Sequence, residues 1–236
     1  MLSRRNIVIG LVVVALIASI GAWRISKSRC YQLVGDLICR VETSEKIVAL
    51  SFDDGPTPEG VATVLATLES RKIKATFFLI GGRMEKWPGQ AKRLVAAGHE
   101  LGNHSYSHTR MIGKWPSDYD NEIARTDRLI KAEGYAKPTL FRPPFGKRLI
   151  GLPMAVERAG YRMIMWDVED NAEQYPDPKA YAADILARVK PGSIILIHPM
   201  YRHNQTARDA LPLVLDGLTA RGYRVVPVGE LLALQP

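Results

Sequence analysis

From Lys46 onward, short apolar runs alternate with longer stretches in which apolar residues recur every three or four positions. The runs are "IVALSF" (47–52), "ATFFLI" (75–80), "HELGN" (99–103), "TLFR" (139–142), "RMIMWDV" (162–168), "SIILIH" (193–198) and "YRVVPV" (223–228). Several are apolar without alternation, the pattern of parallel strands covered on both faces. Between them, "EGVATVLATLESR" sets Val61, Val64, Leu65 and Leu68 on one helical face. "SDYDNEIARTDRLIKAEG" opens on a capping Ser117 and closes on Gly134, and "TARDALPLVLDGLTARG" ends in Gly222, suited to a helix C-terminus. Strict β/α alternation implies right-handed crossovers and a parallel sheet. Seven strands favour an α/β barrel, complete or incomplete. An open doubly wound sheet is the alternative, but "FDDGPTPEG" after the first strand has neither a dinucleotide nor a P-loop pattern.

The first thirty residues read as a separate unit. "IVIGLVVVALIASIGAW", residues 7–23, carries no charge. As a helix it spans about 25 Å, near the lower limit for a bilayer core. Ile20 weakens the small-residue cleavage pattern before Ala22, so the segment predicts an uncleaved signal anchor rather than a removed signal peptide. Arg4 and Arg5 place the N-terminus in the cytoplasm and the rest of the chain on the periplasmic or outer side; Arg24, Lys27 and Arg29 dilute that signal. The predicted organisation is a cytoplasmic stub and membrane span over 1–29, a linker over 30–45, and a catalytic domain over 46–236. Cys30 and Cys39, the only cysteines, could close a small loop in an oxidising compartment or stay as packed thiols.

Composition changes this picture little. With 236 residues, 47% hydrophobic and 24% charged, the chain is an ordinary globular one with no repeat or low-complexity segment. Its net charge of +8 includes +5 from residues 1–30, leaving +3 elsewhere. With no basic stripe interleaved with aromatics, nucleic acid is not expected as a partner.

In parallel α/β folds the carboxyl ends of the strands carry the site. Here they deliver Asp53 and Asp54, then His104 and His108 of "HSYSH", Arg142 of "RPPFG", Asp167, Glu169 and Asp170 of "WDVED", and His198 of "LIHP". Two histidines four apart share one face of a helical turn, and with a carboxylate they offer three ligands to a divalent ion. The Gly55-Pro56 turn is expected to aim Asp53 and Asp54 into one bowl, one on the metal and the other free to accept a proton. His99 reads as structural and His203 as a surface residue. The adjacent acids lack the Asp-x-Asp-Gly-Thr arrangement of aspartyl-nucleophile phosphatases.

These motifs, "SFDDGP", "HSYSH", "RPPFG", "WDVED" and "LIH" in that order over residues 45–236, resemble those of the NodB-homology polysaccharide deacetylases, carbohydrate esterase family four. The resemblance implies a seven-stranded distorted barrel and hydrolysis of N-acetyl groups on amino sugars of a glycan. It implies that Asp54, His104 and His108 hold a divalent ion, usually zinc and sometimes cobalt. It casts Asp53 as the base that activates water, Arg142 as its orienting partner, and His198 as the acid for the leaving amine. The Phe145 N–H would hold the oxyanion, with Trp166 and Leu196 lining the acetyl and sugar pocket. The fourth motif departs from the family: Ala172 and Glu173 stand where Asp-Trp is usual, and Glu169 replaces the first Asp. Asp167, Glu169 and Asp170 all remain candidates to orient His198 or Arg142. Ser51 stands where Thr is common. An O-acetyl esterase with the same machinery and a silent glycan-binding member are the alternative functions.

Overall fold

The computed structural model describes residues 3–136 and 139–234; the first two residues of the predicted cytoplasmic stub lie outside these. In chain order the elements are α1 (Arg4–Lys27), β1 (Leu37–Ile38), β2 (Ile47–Gly55), α2 (Pro58–Glu69), β3 (Thr76–Leu79), α3 (Gly81–Lys86), α4 (Gln90–Ala96), β4 (Glu100–Asn103), α5 (Pro116–Ala132) and β5 (Leu140–Phe141). There follow a single 3-10 turn (Pro144–Gly146), α6 (Gly151–Arg158), β6 (Arg162–Ile164), β7 (Val168–Glu169), α7 (Pro178–Arg188), β8 (Ile194–Ile197), α8 (Gln205–Ala220), β9 (Arg224–Val226) and α9 (Val228–Leu232).

The nine strands form one parallel sheet in the order β1-β6-β5-β4-β3-β2-β8-β7, with β9 also on β2. Two strands exceed the seven predicted. One is β1, a two-residue strand in the predicted linker that pairs with β6. The other arises because "RMIMWDV" breaks at Met165–Asp167: β6 lies next to β1 at one end of the sheet path and β7 forms the other end. The chain thus steps directly across the gap in the curled sheet, which is the distortion of the barrel.

Strand periodicity sorts the core. On β2, Val48, Leu50 and Phe52 face outward against α2, α7 and α8, with Val61, Val64 and Leu68 of α2 among their neighbours. Ile47 and Ala49 point inward with Phe78, Leu140, Trp166 and Leu196, and Val228, Leu231 and Leu232 from α9 close the bottom. Successive strand side chains alternate faces, so Ser51 and Asp53 continue the inward row toward the top. That places Asp53 inside the barrel mouth.

One helix end differs from expectation and another meets it. Ser117 lies inside the first turn of α5, which starts at Pro116 behind Trp115, because Pro fits the first helical turn where no N–H is needed. Gly222 follows the Arg221 cap of α8 with φ +78, a left-handed conformation that glycine adopts at low cost.

The helix α1 is 24 residues long, mean hydropathy 2.3 over its apolar window, with that window wholly exposed. It is long and apolar enough to cross a membrane, although signal sequences share those properties. Its end docks on the domain: Ser26 is buried, and the chain then runs as a strap to β1. Cys30 and Cys39 are joined as a disulfide within this strap, with Cα atoms 5.2 Å apart. Ile38 and Val41 belong to the inner core, and Met165 N–H donates to the Ile38 carbonyl at 2.7 Å.

A fully buried Arg148 holds the strap down. Its guanidinium donates to the carbonyls of Gly146 (2.9 Å), Ser28 (2.6 Å) and Tyr31 (3.0 Å), and to Gln32 Oε1 (3.3 Å). No carboxylate is paired with it among the described residues, and burial pushes this group down to about 10.

Candidate metal and acid-base centre

Asp53 and Asp54 reach one centre by a route other than the expected turn. Regular alternation would send Asp54 outward, but its backbone is left-handed (φ +65) and the β2–β3 register shifts between Phe52 and Gly55. That local irregularity, inside β2 rather than after it, swings Asp54 back to the inner rim. Arg83 donates to the Asp54 carbonyl and stacks on Tyr201, its guanidinium 4.4 Å from the ring centroid.

The "HSYSH" segment is not a helical turn. Ser105 and His108 have φ of +61 and +54, and the loop is held by side chains. Asn103 Oδ1 accepts from Ser105 N–H (2.9 Å), and Ser105 Oγ accepts from His108 N–H (3.1 Å). Glu122 of α5 accepts from the N–H groups of Tyr106 (2.9 Å) and Ser107 (2.8 Å) and from the Ser107 hydroxyl (2.6 Å). The histidines meet through this loop, ring centroids 4.9 Å apart.

Asp54, His104 and His108 each offer a ligand atom, all within 4.8 Å of one another. Asp54 Oδ1 lies 3.0 Å from His108 Nε2 and 3.6 Å from His104 Nε2, yet it is buried with no hydrogen-bond partner. A buried carboxylate oxygen is rarely left unpartnered. His104 Nδ1 lies 2.7 Å from the Arg142 carbonyl, which fixes the tautomer and turns the Nε2 lone pair toward Asp54. Burial pushes the His104 imidazole down against the pull of Asp53 and Asp54, so it is neutral, the form that binds metals. The donor set therefore fits a divalent metal ion.

Arg142 is wholly buried in an aromatic and polar cage. Its Nη1 donates to Asp53 Oδ1 (2.8 Å) and Ser51 Oγ (2.9 Å), while Nε and Nη2 donate to the carbonyls of Ile164 (3.3 Å) and Met165 (3.1 Å). Its guanidinium sits 4.0 Å from the Phe78 ring centroid and 5.4 Å from that of Trp166. Burial lowers its pKa, with Asp53 opposing. An arginine remains charged under these conditions, so Asp53 has a fixed cation on one oxygen. Its other oxygen, Oδ2, is 3.6 Å from His104 Nε2.

The three acids of "WDVED" separate cleanly. Asp167 faces away, accepting from Ser193 Oγ (2.8 Å) and Ile194 N–H (2.9 Å), and so ties β7 to β8. Glu169 pairs with Arg29 of the strap at 2.5 Å. Asp170 is the partner of His198: Oδ1 lies 2.7 Å from Nδ1, and Oδ2 accepts from His198 N–H (3.0 Å) and the Tyr181 hydroxyl (2.8 Å). Burial works against charge on His198, but the Asp170 bond and the charges of Asp170, Asp53 and Asp54 outweigh it and raise the imidazole to about 9.

Phe145 is left-handed (φ +57) and half exposed, its ring 4.7 Å from that of His108. Trp166 is nearly buried with its Nε1 unpartnered, and Leu196 is completely buried on β8 as part of the floor. Beside His198 an open depression is lined by Asp170, Ala172, Glu173, Tyr201 and His203. His203 stacks on Tyr201 at 5.2 Å. His99 is remote and structural, its Nδ1 accepting from Ala75 N–H. Sequence reading missed Glu122, Arg83 and Tyr201, whose roles depend on partners distant in the chain.

A family model described as polysaccharide deacetylase matches residues 40–164. The chain belongs to the polysaccharide deacetylase family, the class that its curled parallel barrel defines and that the Asp54, His104 and His108 trio suits. It is 32% identical over 200 residues to a peptidoglycan-N-acetylglucosamine deacetylase of Bacillus cereus, covering 84% of this chain and 93% of that one. It is 30% identical over 196 residues to a chitooligosaccharide deacetylase of Bradyrhizobium sp. (strain ANU 289), covering 78% and 90%. The fold superposes with a TM-score of 0.78 on a crystal structure of a CE4-family pseudoenzyme from Bacillus anthracis, 29% identical, covering 85% of this chain and 70% of that one.

Proposed function

We propose that the protein is a metal-dependent hydrolase that removes N-acetyl groups from the amino sugars of a chitooligosaccharide- or peptidoglycan-type glycan. The observation that carries this reading is the convergence of Asp53 and Asp54 on His104 and His108, with an acid-paired His198 on the same rim. A divalent ion on Asp54, His104 and His108, zinc in our reading, would supply Lewis-acid activation of water and of the acetyl carbonyl. Asp53, held by Arg142 and not part of the trio, accepts the proton lost by water as the C–O bond forms. His198, protonated through its Asp170 pairing, donates to the departing nitrogen as the C–N bond breaks. The Phe145 N–H is the proposed oxyanion donor, and Trp166 and Leu196 are the proposed walls for the acetyl group. The family's metal dependence supports this assignment, as does the named activity of the Bacillus cereus and Bradyrhizobium relatives. We read α1 as a signal anchor holding the domain outside the cytoplasm, which the disulfide in the strap supports.

Acetate release tests the reading. The full chain is offered chitooligosaccharides, peptidoglycan and acetylated xylan after metal stripping and again after zinc is restored. Release from the N-acetylated glycans only with zinc is expected. Release from xylan alone would make it an esterase. The likeness to a pseudoenzyme gives weight to a silent glycan binder, and that reading wins if zinc binds but no substrate loses acetate.

A further inference from the structure

Three cations converge at the mouth of the site from separate parts of the chain: Lys27 at the end of α1, Arg110 after the histidine loop, and Lys147 after the 3-10 turn. Arg148 donates to both the Ser28 and the Gly146 carbonyls, so Lys27 and Lys147 each adjoin a residue held by this one guanidinium, and burial together with the charges of Lys27, Arg110 and Arg148 lowers the Lys147 pKa. Lys27, Arg110 and Lys147 make no ion pair with any acid among the described residues. Lys27 and Arg110 are exposed and Lys147 partly so. Arg110 sits 5.8 Å from the Phe145 ring centroid, and Phe145 touches His108 at 4.7 Å, so the cluster adjoins the metal-ligand trio. Like charges gathered without acids focus a field that attracts an anion.

The place of the cluster says which anion. Lys27 closes the apolar helix, with Arg24 one turn before it, and Lys27 lies over the Trp23 ring at 3.3 Å. Basic and Trp residues at the end of a span sit at the depth of the lipid phosphates. No flexible linker separates that depth from the mouth, because Ser26 is buried against the domain and Arg148 bonds Ser28 and Tyr31 to the Gly146 carbonyl. A neutral chitooligosaccharide alone gives three unpaired cations nothing to bind, and the carboxylates of a peptidoglycan strand would not account for the placing of Lys27 at the depth of the lipid phosphates.

We propose that Lys27, Arg110 and Lys147 bind the phosphate of a glycan still carried on a membrane lipid through a phosphate or diphosphate, making that lipid-linked saccharide the substrate class. This rests on the de-N-acetylase and signal-anchor readings above. The cluster borders Phe145 rather than the far flank of α1, which favours a phosphate belonging to the substrate over one belonging to bulk lipid.

The test compares three probes on the full chain in detergent: free chitobiose, chitobiose joined through a diphosphate to a short polyprenyl chain, and a polyprenyl chitobioside without phosphate. The readout is the ratio of kcat/KM for each lipid probe to that for free chitobiose. Each engaged cation should contribute about fivefold to the ratio for the diphosphate probe. Lys147→Gln and Arg110→Gln should each reduce that ratio about fivefold, with Lys147→Arg keeping it and added salt lowering it. A ratio near one, an equal gain for the phosphate-free lipid, or a ratio indifferent to these variants would overturn the proposal. Binding of the same probes to the Asp53→Asn protein is measured in parallel. Tight diphosphate-dependent binding without turnover by the wild-type chain would support the phosphate site while sinking the deacetylase reading, and turnover without it would do the reverse.

Discussion

Replacing Asp170 by Asn isolates the acid half of the proposed chemistry. The Asn carbonyl can keep the bonds to His198 N–H and the Tyr181 hydroxyl that Asp170 Oδ2 accepts. Its N–H group then faces His198 Nδ1, where the carboxylate Oδ1 lies at 2.7 Å. The shape survives, but the support for a protonated ring is lost. His198 is raised to about 9 in the native protein, so at pH 8 it is about nine-tenths protonated. At the ordinary value of about 6.5 it would be only about 3% protonated, a loss of roughly 30-fold in the acid form. At pH 6 the same change costs only about 1.3-fold. A cation on Asp54 would offset part of the field of the two rim carboxylates, which leaves the Asp170 contact as the share of the shift that persists. The assay is kcat/KM for acetate release by wild type and Asp170→Asn between pH 6 and 8.5. The deficit should deepen steadily with pH. A deficit equal at pH 6 and pH 8 would mean that Asp170 acts only as a brace, and the acid role of His198 would fall.

Other outcomes follow from the same geometry. Asp53→Asn should abolish turnover with zinc content unchanged, whereas His104→Ala should lose the metal itself; metal analysis after dialysis separates the two, and near-normal turnover by Asp53→Asn would remove its role as base. Glu122→Gln loosens the three bonds that hold the histidine loop, so zinc affinity should fall by about 10- to 100-fold, the usual effect of removing a ligand's support; unchanged affinity in a chelator competition would show that the loop holds itself. His99 is pushed down to about 4 by burial and then by Lys74. Its folded pKa is therefore below the unfolded value of about 6.5, so stability is full above that value and falls by up to about 3 kcal/mol as pH drops toward 4. Urea titrations at pH 7 and 4.5 should show that loss, and His99→Asn should flatten it.

Much of this site was legible because chemistry and period coincide. The inward row Ile47, Ala49, Ser51, Asp53 follows from strand alternation alone, and the order of the ionisable residues along the rim follows from β/α alternation. What was not legible depends on backbone irregularity or distant partners. The adjacency of Asp53 and Asp54 suggested a turn, whereas a bulge and a left-handed Asp54 do the work. The histidine spacing suggested a helix, but Asn103 and Glu122 hold a loop instead. Choosing Asp170 over Asp167 and Glu169 needed Ser193, Arg29 and His198 in space. β1 escaped notice because two residues carry no period, and its pairing with β6 comes from the other side of the barrel.

Four of the five non-glycine residues with left-handed backbone among the described residues, Asp54, Ser105, His108 and Phe145, belong to this one rim. Each such conformation costs an L-residue roughly 1–2 kcal/mol, least for Asp and Asn and most for β-branched side chains. A saturation library over the rim would thus be filtered twice, first by whether the backbone can form and only then by what the side chain contributes. Glycine and asparagine should be over-represented among folded survivors at these codons, and valine, isoleucine and threonine nearly absent. Intolerance at Ser105 or Phe145 in such a screen would consequently record the price of a bend, and a glycine variant is the control that tells a conformational requirement from a chemical one.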